Sequence, residues 1–471
     1  AVPLNFCKIF ANINQKEYKL ETNNAKRRKF KLNTFQTIIL GFAGVILLGS
    51  FLLSLPFATK SGDPVPYIDA LFTSTTSVCV TGLITRDTGT YWSLFGQIII
   101  LILIQIGGMG VMTVTIMLGL ISRRRFSIMQ KYTMQDAISA PVFGDTIKLT
   151  KYIICVTACT EAAGALCLLP VFKQHYGWLK AIWYSVFHAI SAFCNAGIDL
   201  NGVEQPYCSL THYYNNPVVN FVIMFLIVFG GIGFITWDDM RRNGFKFKKY
   251  RLQSKIALLM TAILIILPAL YFYIYEFHRV RWDWMSEDGR IMASLFQAVT
   301  PRTAGFNTID LNMMSDVSKM IIIVLMLIGA SPGSTAGGMK TTTVAVLISS
   351  AFSVFKKRED PEAFHRRLSA DVVRSASAVL SMYVALFMLG SIIICQLEDV
   401  PIMPAMFETA SAIGTVGLSL GITPGLCTVS KVVLISLMYF GRVGGLTLIF
   451  AAASGIQKKR SKYPLEKVAV G

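Results

Sequence analysis

Four glycines recur along this chain at nearly constant intervals. Gly82, Gly197, Gly305 and Gly417 stand 115, 108 and 112 residues apart. Each lies near the end of a weakly similar segment: TSVCVTGL from Thr76 to Leu83, SAFCNAGI from Ser191 to Ile198, VTPRTAGF from Val299 to Phe306, and SAIGTVGL from Ser411 to Leu418. Ten residues before each glycine stands a large apolar residue, Phe72, Phe187, Leu295 or Phe407. The whole chain therefore reads as one unit repeated four times, with the same short amphipathic helix ahead of every glycine.

Composition places that unit in a membrane. With 54% hydrophobic and only 15% charged residues, the 471 residues are too apolar for a soluble fold, and several runs reach the roughly 20 residues that cross a bilayer. The expected fold is all-α with eight spans, at 36–57, 93–121, 148–170, 216–236, 254–276, 319–348, 372–396 and 428–456. Between the members of each pair lie 67–78, 180–192, 289–300 and 402–413, too short to cross and read as re-entrant half-helices. The expected organisation is a tail (1–35), four helix–pore loop–helix modules (36–121, 148–236, 254–348 and 372–456) around one pore, and a second tail (457–471). The first 35 residues are polar and basic, the wrong composition for a signal peptide, so both tails are expected in the cytoplasm.

Charge supports that orientation. The inner segments 1–35, 122–151, 237–255, 356–374 and 457–471 carry 32 Lys and Arg, the outer segments only ten, and the outer side is net −4. This is the positive-inside distribution. It accounts for a net charge of +18 without nucleic acid, since clusters such as Arg123-Arg124-Arg125 and Lys356-Lys357-Arg358 each follow a span. The membrane expected is the plasma membrane, with lipid as a partner.

Little points to catalysis. The nine cysteines show no CxxC or Cys/His metal spacing and the five histidines are scattered, so neither a disulfide framework nor a metal centre is expected. No phosphate-binding loop, nucleophile elbow or paired intramembrane carboxylates occur. The chain is not read as an enzyme.

A half-helix that dives from the outer face and ends in the membrane points its carbonyl end, carrying about half a negative charge, at the centre. The chain must then return extended, and bare backbone at that depth is tolerated only where it lines a water-filled cavity. Four such segments around one axis can replace the water shell of a K⁺ ion with carbonyl oxygens. The candidate filter is therefore the backbone of Val78, Cys79, Val80, Thr81 and Gly82, of Phe193, Cys194, Asn195, Ala196 and Gly197, of Pro301, Arg302, Thr303, Ala304 and Gly305, and of Ile413, Gly414, Thr415, Val416 and Gly417.

The sixth span is interrupted. Gly329, Ala330, Ser331, Pro332, Gly333, Ser334, Thr335, Ala336, Gly337 and Gly338 sit inside an otherwise apolar segment. Glycine costs about 1 kcal/mol and proline about 3 kcal/mol per helical position, so the run must loop, and a loop at this depth lines the pore or packs in protein. It is the candidate gate, or alternatively a kink of closely packed small residues. Gly107-Gly108-Met109-Gly110, Gly230-Gly231-Ile232-Gly233 and Gly441-Arg442-Val443-Gly444 stand at corresponding places. Only Arg442 among these is charged, and a charge at that depth is a functional candidate by default. It serves as a barrier to K⁺, as a clamp on the loop, or as a purely structural tie. Lys340 joins the gate set, or anchors the inner half-helix at the interface. Arg302 is expected to turn outward and brace the filter, Asp69 and Glu408 to suit helix N-termini, and Glu161 to make a helix contact.

These motifs resemble the superfamily of K⁺ transporters that includes the Trk, Ktr and HKT proteins, over about residues 36–456. The sharpest elements are GASPGSTAGGMKTTT (Gly329 to Thr343), TPRTAGFNTID (Thr300 to Asp310) and GRVGGLTL (Gly441 to Leu448). Within the superfamily the resemblance is greatest to the membrane subunit of bacterial Ktr systems. It implies K⁺ uptake stimulated by Na⁺, a homodimer with one pore per protomer, an intramembrane gating loop, and a cytosolic RCK-type ring that binds ATP or ADP on the partner. It implies no cofactor in this chain. Two alternatives stand: the K⁺-binding subunit of an ATP-driven pump, and a Na⁺-permeable relative, against which all four glycines weigh.

Overall fold

The structure, a computed structural model, describes residues 34–110, 146–203 and 205–444. Residues 1–33 of the first tail, the second tail, the end of the expected span at 93–121, the part of 428–456 beyond 444 and GRVGGLTL beyond Gly444 lie outside them. The described residues form helices α1 (Thr34–Leu53), α2 (Tyr67–Val78), α3 (Leu94–Met109), α4 (Thr146–Phe193), α5 (Pro217–Gly231), α6 (Phe234–Asn243), α7 (Leu252–Tyr271), α8 (Glu287–Val299), α9 (Asp316–Leu327), α10 (Thr341–Phe355), α11 (Ala370–Glu398), α12 (Ile402–Gly414) and α13 (Thr428–Val443). A two-residue strand pair, Glu362–Ala363 with Arg366–Arg367, follows α10.

Local chemistry starts these helices where they start. The side chains of Ser93, Ser286 and Ser315 accept from the backbone N–H groups of Gly96, Gly289 and Ser318, and Asn216 does the same for Val219 ahead of Pro217. α4 is two helices merged across Gly177, whose φ of 72° breaks the helical path between the expected span and the short helix after it.

Among the described residues four helices are long and apolar enough to cross a membrane: Phe35–Leu53, Lys148–Phe193, Leu252–Glu276 and Ala370–Glu398. The expected span at 216–236 is broken near its end. α5 stops at Gly231 and α6 leaves at 93°, because Gly233 takes φ 96° and the next N–H, of Phe234, bonds to Gly333 O at 2.7 Å. Residues 237–243, expected as loop, therefore continue α6. The span at 319–348 is divided into α9 and α10 by the small-residue loop.

The helices close a circuit: α3 packs on α4, α5 on α8, α9 on α12, and α13 returns to α2. At its centre lie the ends of the short helices, with Phe72, Phe187, Phe296 and Phe407 fully buried. The third of these corrects the sequence register, since Leu295 is only partly buried and Phe296 takes the core place. The third segment is one residue shorter between that anchor and its glycine.

Candidate functional site

The four glycines meet. A Cβ built on Gly82 falls 2.4 Å from Ala196 O, one on Gly197 falls 2.2 Å from Ala304 O, one on Gly305 falls 2.4 Å from Val416 O, and one on Gly417 falls 2.2 Å from Thr81 O. The carbonyl before each glycine thus packs on the glycine of the preceding segment, the first closing on the fourth, and the four contacts form a closed ring. No side chain fits at any of the four places. Their φ values of 98°, 65°, 89° and 96° are also ones that L-residues rarely adopt.

Sequence reasoning missed a second set of strained residues. Val80, Asn195, Thr303 and Thr415, each two positions before its glycine, have φ of 55°, 59°, 65° and 51°. For β-branched Val and Thr this conformation is costly and is held only by surrounding structure. Buried hydroxyls help to hold it: Gly82 N donates to Thr76 Oγ1 and Gly417 N to Ser411 Oγ, both at 2.9 Å, while Ser191 Oγ donates to Ile198 O at 2.7 Å and Thr300 Oγ1 to Phe306 O at 2.5 Å. The same four residues accept backbone bonds from Thr81, Ala196, Ala304 and Val416. The signal was present, since three of the segments begin on that hydroxyl; in the third it is displaced by one residue. Thr81, Thr303 and Thr415 carry buried Oγ1 atoms without a hydrogen-bond partner among the described residues.

The start of three of the four candidate segments faces elsewhere. Val78, Phe193, Ile413 and Gly414 still belong to helices α2, α4 and α12. A Cβ on Gly107 would lie 2.2 Å from Val78 O, one on Gly230 2.1 Å from Phe193 O, and one on Gly441 2.3 Å from Ile413 O. The glycine motifs of α3, α5 and α13 therefore let those helices press against the carbonyl ends of the short helices. Cys79 caps α2, and Cys194 Sγ lies 3.5 Å from Gln105 Oε1. Pro301 is buried.

The loop from Gly329 to Lys340 lies under these segments. Its Ser331 and Thr335 N–H groups bond to Gly231 O and Gly230 O at 3.1 and 3.3 Å, Gly338 N to Gly441 O at 3.2 Å, and Thr341 N to Ala330 O at 3.1 Å. Thr335 Oγ1 bonds to Asn195 Oδ1 at 2.7 Å and Phe193 O at 3.2 Å. A Cβ on Gly337 would meet Thr415 Oγ1 at 2.2 Å. Ala330, Ser331, Thr335 and Ala336 are buried, whereas Pro332, Gly333 and Ser334 are half-buried. Arg442 donates to Thr335 O and to Gly107 O, and at 3.3 Å to Gly108 O.

Of the charged residues singled out in the sequence, Glu408 departs from its expected place. Lys340 does not reach outward; its Nζ turns back to Ala336 O and Gly337 O at 2.9 and 3.1 Å, using carbonyls that the loop leaves free. Glu408 sits seventh in α12, away from the N-terminus, fully buried, and accepts from Leu420 N at 3.2 Å and Thr423 Oγ1 at 2.7 Å, tying the return arm to its helix. Asp69 does lie in the first turn of α2, yet it is held by Lys431 Nζ at 2.8 Å and Arg86 Nε at 3.0 Å. Glu161 makes the expected helix contact, accepting from Gln105 Nε2 at 3.1 Å. Arg302 is 4% exposed and its Nε has no partner among the described residues.

Outside the ring opens a cavity of about 420 Å³ lined by all four glycines, with Asp199, Asn307, Asp310 and Ser419 on its walls. Asp199, in the outer loop two residues past Gly197, is buried to 8% exposure and accepts from Asn201 N at 2.9 Å. Burial, then the nearby Asp87 carboxylate, pushes its carboxyl up to about 7.

Comparison with known proteins places the chain in a family. Residues 5–462 match the family described as TrkH, cation transport protein. The chain is 38% identical over 452 residues to the potassium/sodium uptake protein NtpJ of Enterococcus hirae, covering 95% of this chain and 99% of that one. It is 37% identical to the Ktr system potassium uptake protein B of Bacillus subtilis, covering 93% and 96%, and 34% identical to that of Vibrio alginolyticus, covering 95% and 97%. The crystal structure of the potassium transporter TrkH from Vibrio parahaemolyticus superposes with a TM-score of 0.71 over 92% of this chain and 86% of that one, at 17% identity. The protein is therefore a transport protein and not an enzyme, a member of the TrkH family of cation transport proteins and similar to the B subunits of Ktr systems.

Proposed function

We propose that the chain takes up K⁺ through eight spans and one pore, selecting with the backbone around Gly82, Gly197, Gly305 and Gly417 and gating with the loop from Gly329 to Gly338. The closed glycine ring carries this reading. Each of its glycines packs against a carbonyl oxygen of a neighbouring segment, and the buried Thr81, Thr303 and Thr415 hydroxyls beside it offer oxygens to a dehydrated cation. The loop contacts the second segment through Asn195 and the fourth through Gly414 and Thr415, so it must move before an ion leaves the ring inward.

Four intact glycines favour K⁺ over Na⁺, whereas the name of the Enterococcus relative couples the two ions. The reading therefore includes K⁺ as cargo and Na⁺ as activator. It places both tails in the cytoplasm at the plasma membrane, and a homodimer on a cytosolic RCK-type ring that senses ATP or ADP. The support for the ring is the basic inner face and the Ktr relatives, whose names describe one part of a system. Expression in a bacterium lacking K⁺ uptake tests it: growth at limiting K⁺ is expected, together with co-purification of a soluble nucleotide-binding protein. Absence of growth from a chain shown to be in the membrane overturns the uptake reading.

A further inference from the structure

A cleft of about 600 Å³ runs between α7 and α10, well away from the glycine ring. Its walls are apolar, formed by Met260, Ile263, Val344, Ile348 and Phe352, and its deep end is Ile328, the residue before Gly329. Ile328 pairs with Met339 across the base of the loop in a β-bridge. Leu259, Ile348 and Phe352 are exposed, so the cleft opens sideways along the helices. From Val344 to Lys356 is about 18 Å along α10, close to the ~15 Å of hydrocarbon in one leaflet.

The polar residues lie mostly at one end. Lys356, Arg358 and Glu362 line the mouth, after the last turn of α10. Arg358 Nη1 bonds to Glu362 Oε2 at 2.7 Å and uses up that carboxylate. Lys356 has no ion-pair partner among the described residues, and Lys255 Nζ stands over the ring of the lining residue Phe364, 6.0 Å from its centre. The mouth is thus net positive, on the side that the basic clusters place toward the cytoplasm. Apolar length matched to a leaflet, lateral opening and unbalanced cations at the headgroup end describe the complement of an anionic phospholipid.

We propose that this cleft holds one acyl chain of an inner-leaflet anionic phospholipid, its phosphate at Lys356 and Lys255, and that the chain braces Ile328 and α10 and so sets the position of the loop base. The binding site stands on the cleft alone; the bracing rests on the proposed gating role of the loop. A chain seated between α7 and α10 fixes how far Thr341 can move from Ala330, to which its N–H bonds at 3.1 Å.

The test uses the full-length protein with phosphatidylglycerol and phosphatidylcholine as probes. Native mass spectrometry should show one phosphatidylglycerol retained in preference to phosphatidylcholine. Lys356→Gln should weaken that retention about fivefold, the effect of one cation near an anionic headgroup. Ala345→Trp, which fills the cleft, should abolish it, and Lys249→Gln, outside the cleft, should leave it unchanged. In liposomes, cation flux should vary with phosphatidylglycerol content in the parent and not in Ala345→Trp. Equal retention of the two lipids, or no loss in Lys356→Gln, overturns the site, as does a Phe352→Cys disulfide forming between two copies in the membrane. Retention as expected with flux indifferent to lipid overturns the bracing. Retention as expected with no flux in any lipid keeps the site and counts against the uptake reading.

Discussion

The guanidinium of Arg442, in the last turn of α13, donates to the carbonyl oxygen of Thr335 at the middle of the loop between α9 and α10. Its other nitrogen reaches Gly107 and Gly108 at the end of α3. One side chain thereby links α13, the loop and the end of α3. The planar fork of arginine suits carbonyls on two sides, and a lysine at this place would serve one.

Arg442→Ala should release the loop. Charge-assisted hydrogen bonds contribute about 1.5–3 kcal/mol each, so losing the bond to Thr335 O should shift the closed–open balance about tenfold or more toward open. Liposome flux should rise and depend less on any cytosolic regulator. Arg442→Lys should fall between parent and alanine. A well-folded Arg442→Ala protein with lower flux and intact regulation would make the arginine a scaffold.

Gly82→Ser should weaken K⁺ preference while the protein still folds. Its Cβ would press on Ala196 O at 2.4 Å and its φ of 98° would be strained, so the ring must open at that contact. Competition uptake assays with K⁺ and Na⁺ measure this. Unchanged apparent affinities for both ions would remove Gly82 from the filter.

Asp69→Asn should lower thermal stability with little effect on selectivity. The carboxylate is buried against Lys431 and Arg86, and removing one partner of a buried pair typically costs about 3 kcal/mol or more. Because Arg86 is partly exposed, most of the loss should come from Lys431. Thermal unfolding in detergent, compared with Lys431→Met and the double variant, should show strong non-additivity; additive losses would contradict the pairing.

Asp199 supplies a pH dependence. Burial and Asp87 raise its carboxyl to about 7 in the folded protein, against about 3.9 when unfolded. Between those values the folded state holds a proton that the unfolded state has lost, so its contribution to stability falls as pH rises from about 4 to 7. Above 7 the carboxylate is charged and draws cations to the outer cavity. Asp199→Asn should flatten the stability slope between about pH 4 and 7 and remove a rise of uptake centred near pH 7. The same slope in variant and parent would assign the titration to another group.

Local signals made part of this architecture legible. The apolar positions ahead of each glycine predict helices at 67–78 and 402–413, and the structure has Tyr67–Val78 and Ile402–Gly414. Glycine and proline density marked the break that separates Leu327 from Thr341. Other features have no local signature. Nothing in VTGL or TVGL announces a left-handed Val80 or Thr415, because β-branched residues disfavour it and only the assembled ring imposes it. Lys431, which holds Asp69, and Gly107, which Arg442 reaches, are each more than 300 residues away from their partners. The one-residue shortening of the third segment was hidden because aligning on glycines placed Leu295 where Phe296 belongs.

Cation flux into liposomes containing the purified chain, with K⁺ and Na⁺ offered in turn at equal concentration, tests the central claim most directly. The account predicts uptake of K⁺ well above that of Na⁺, reduced in preference by Gly82→Ser and increased in rate by Arg442→Ala. Equal flux of the two ions through the parent protein, or K⁺ flux unaltered by both substitutions, would contradict it.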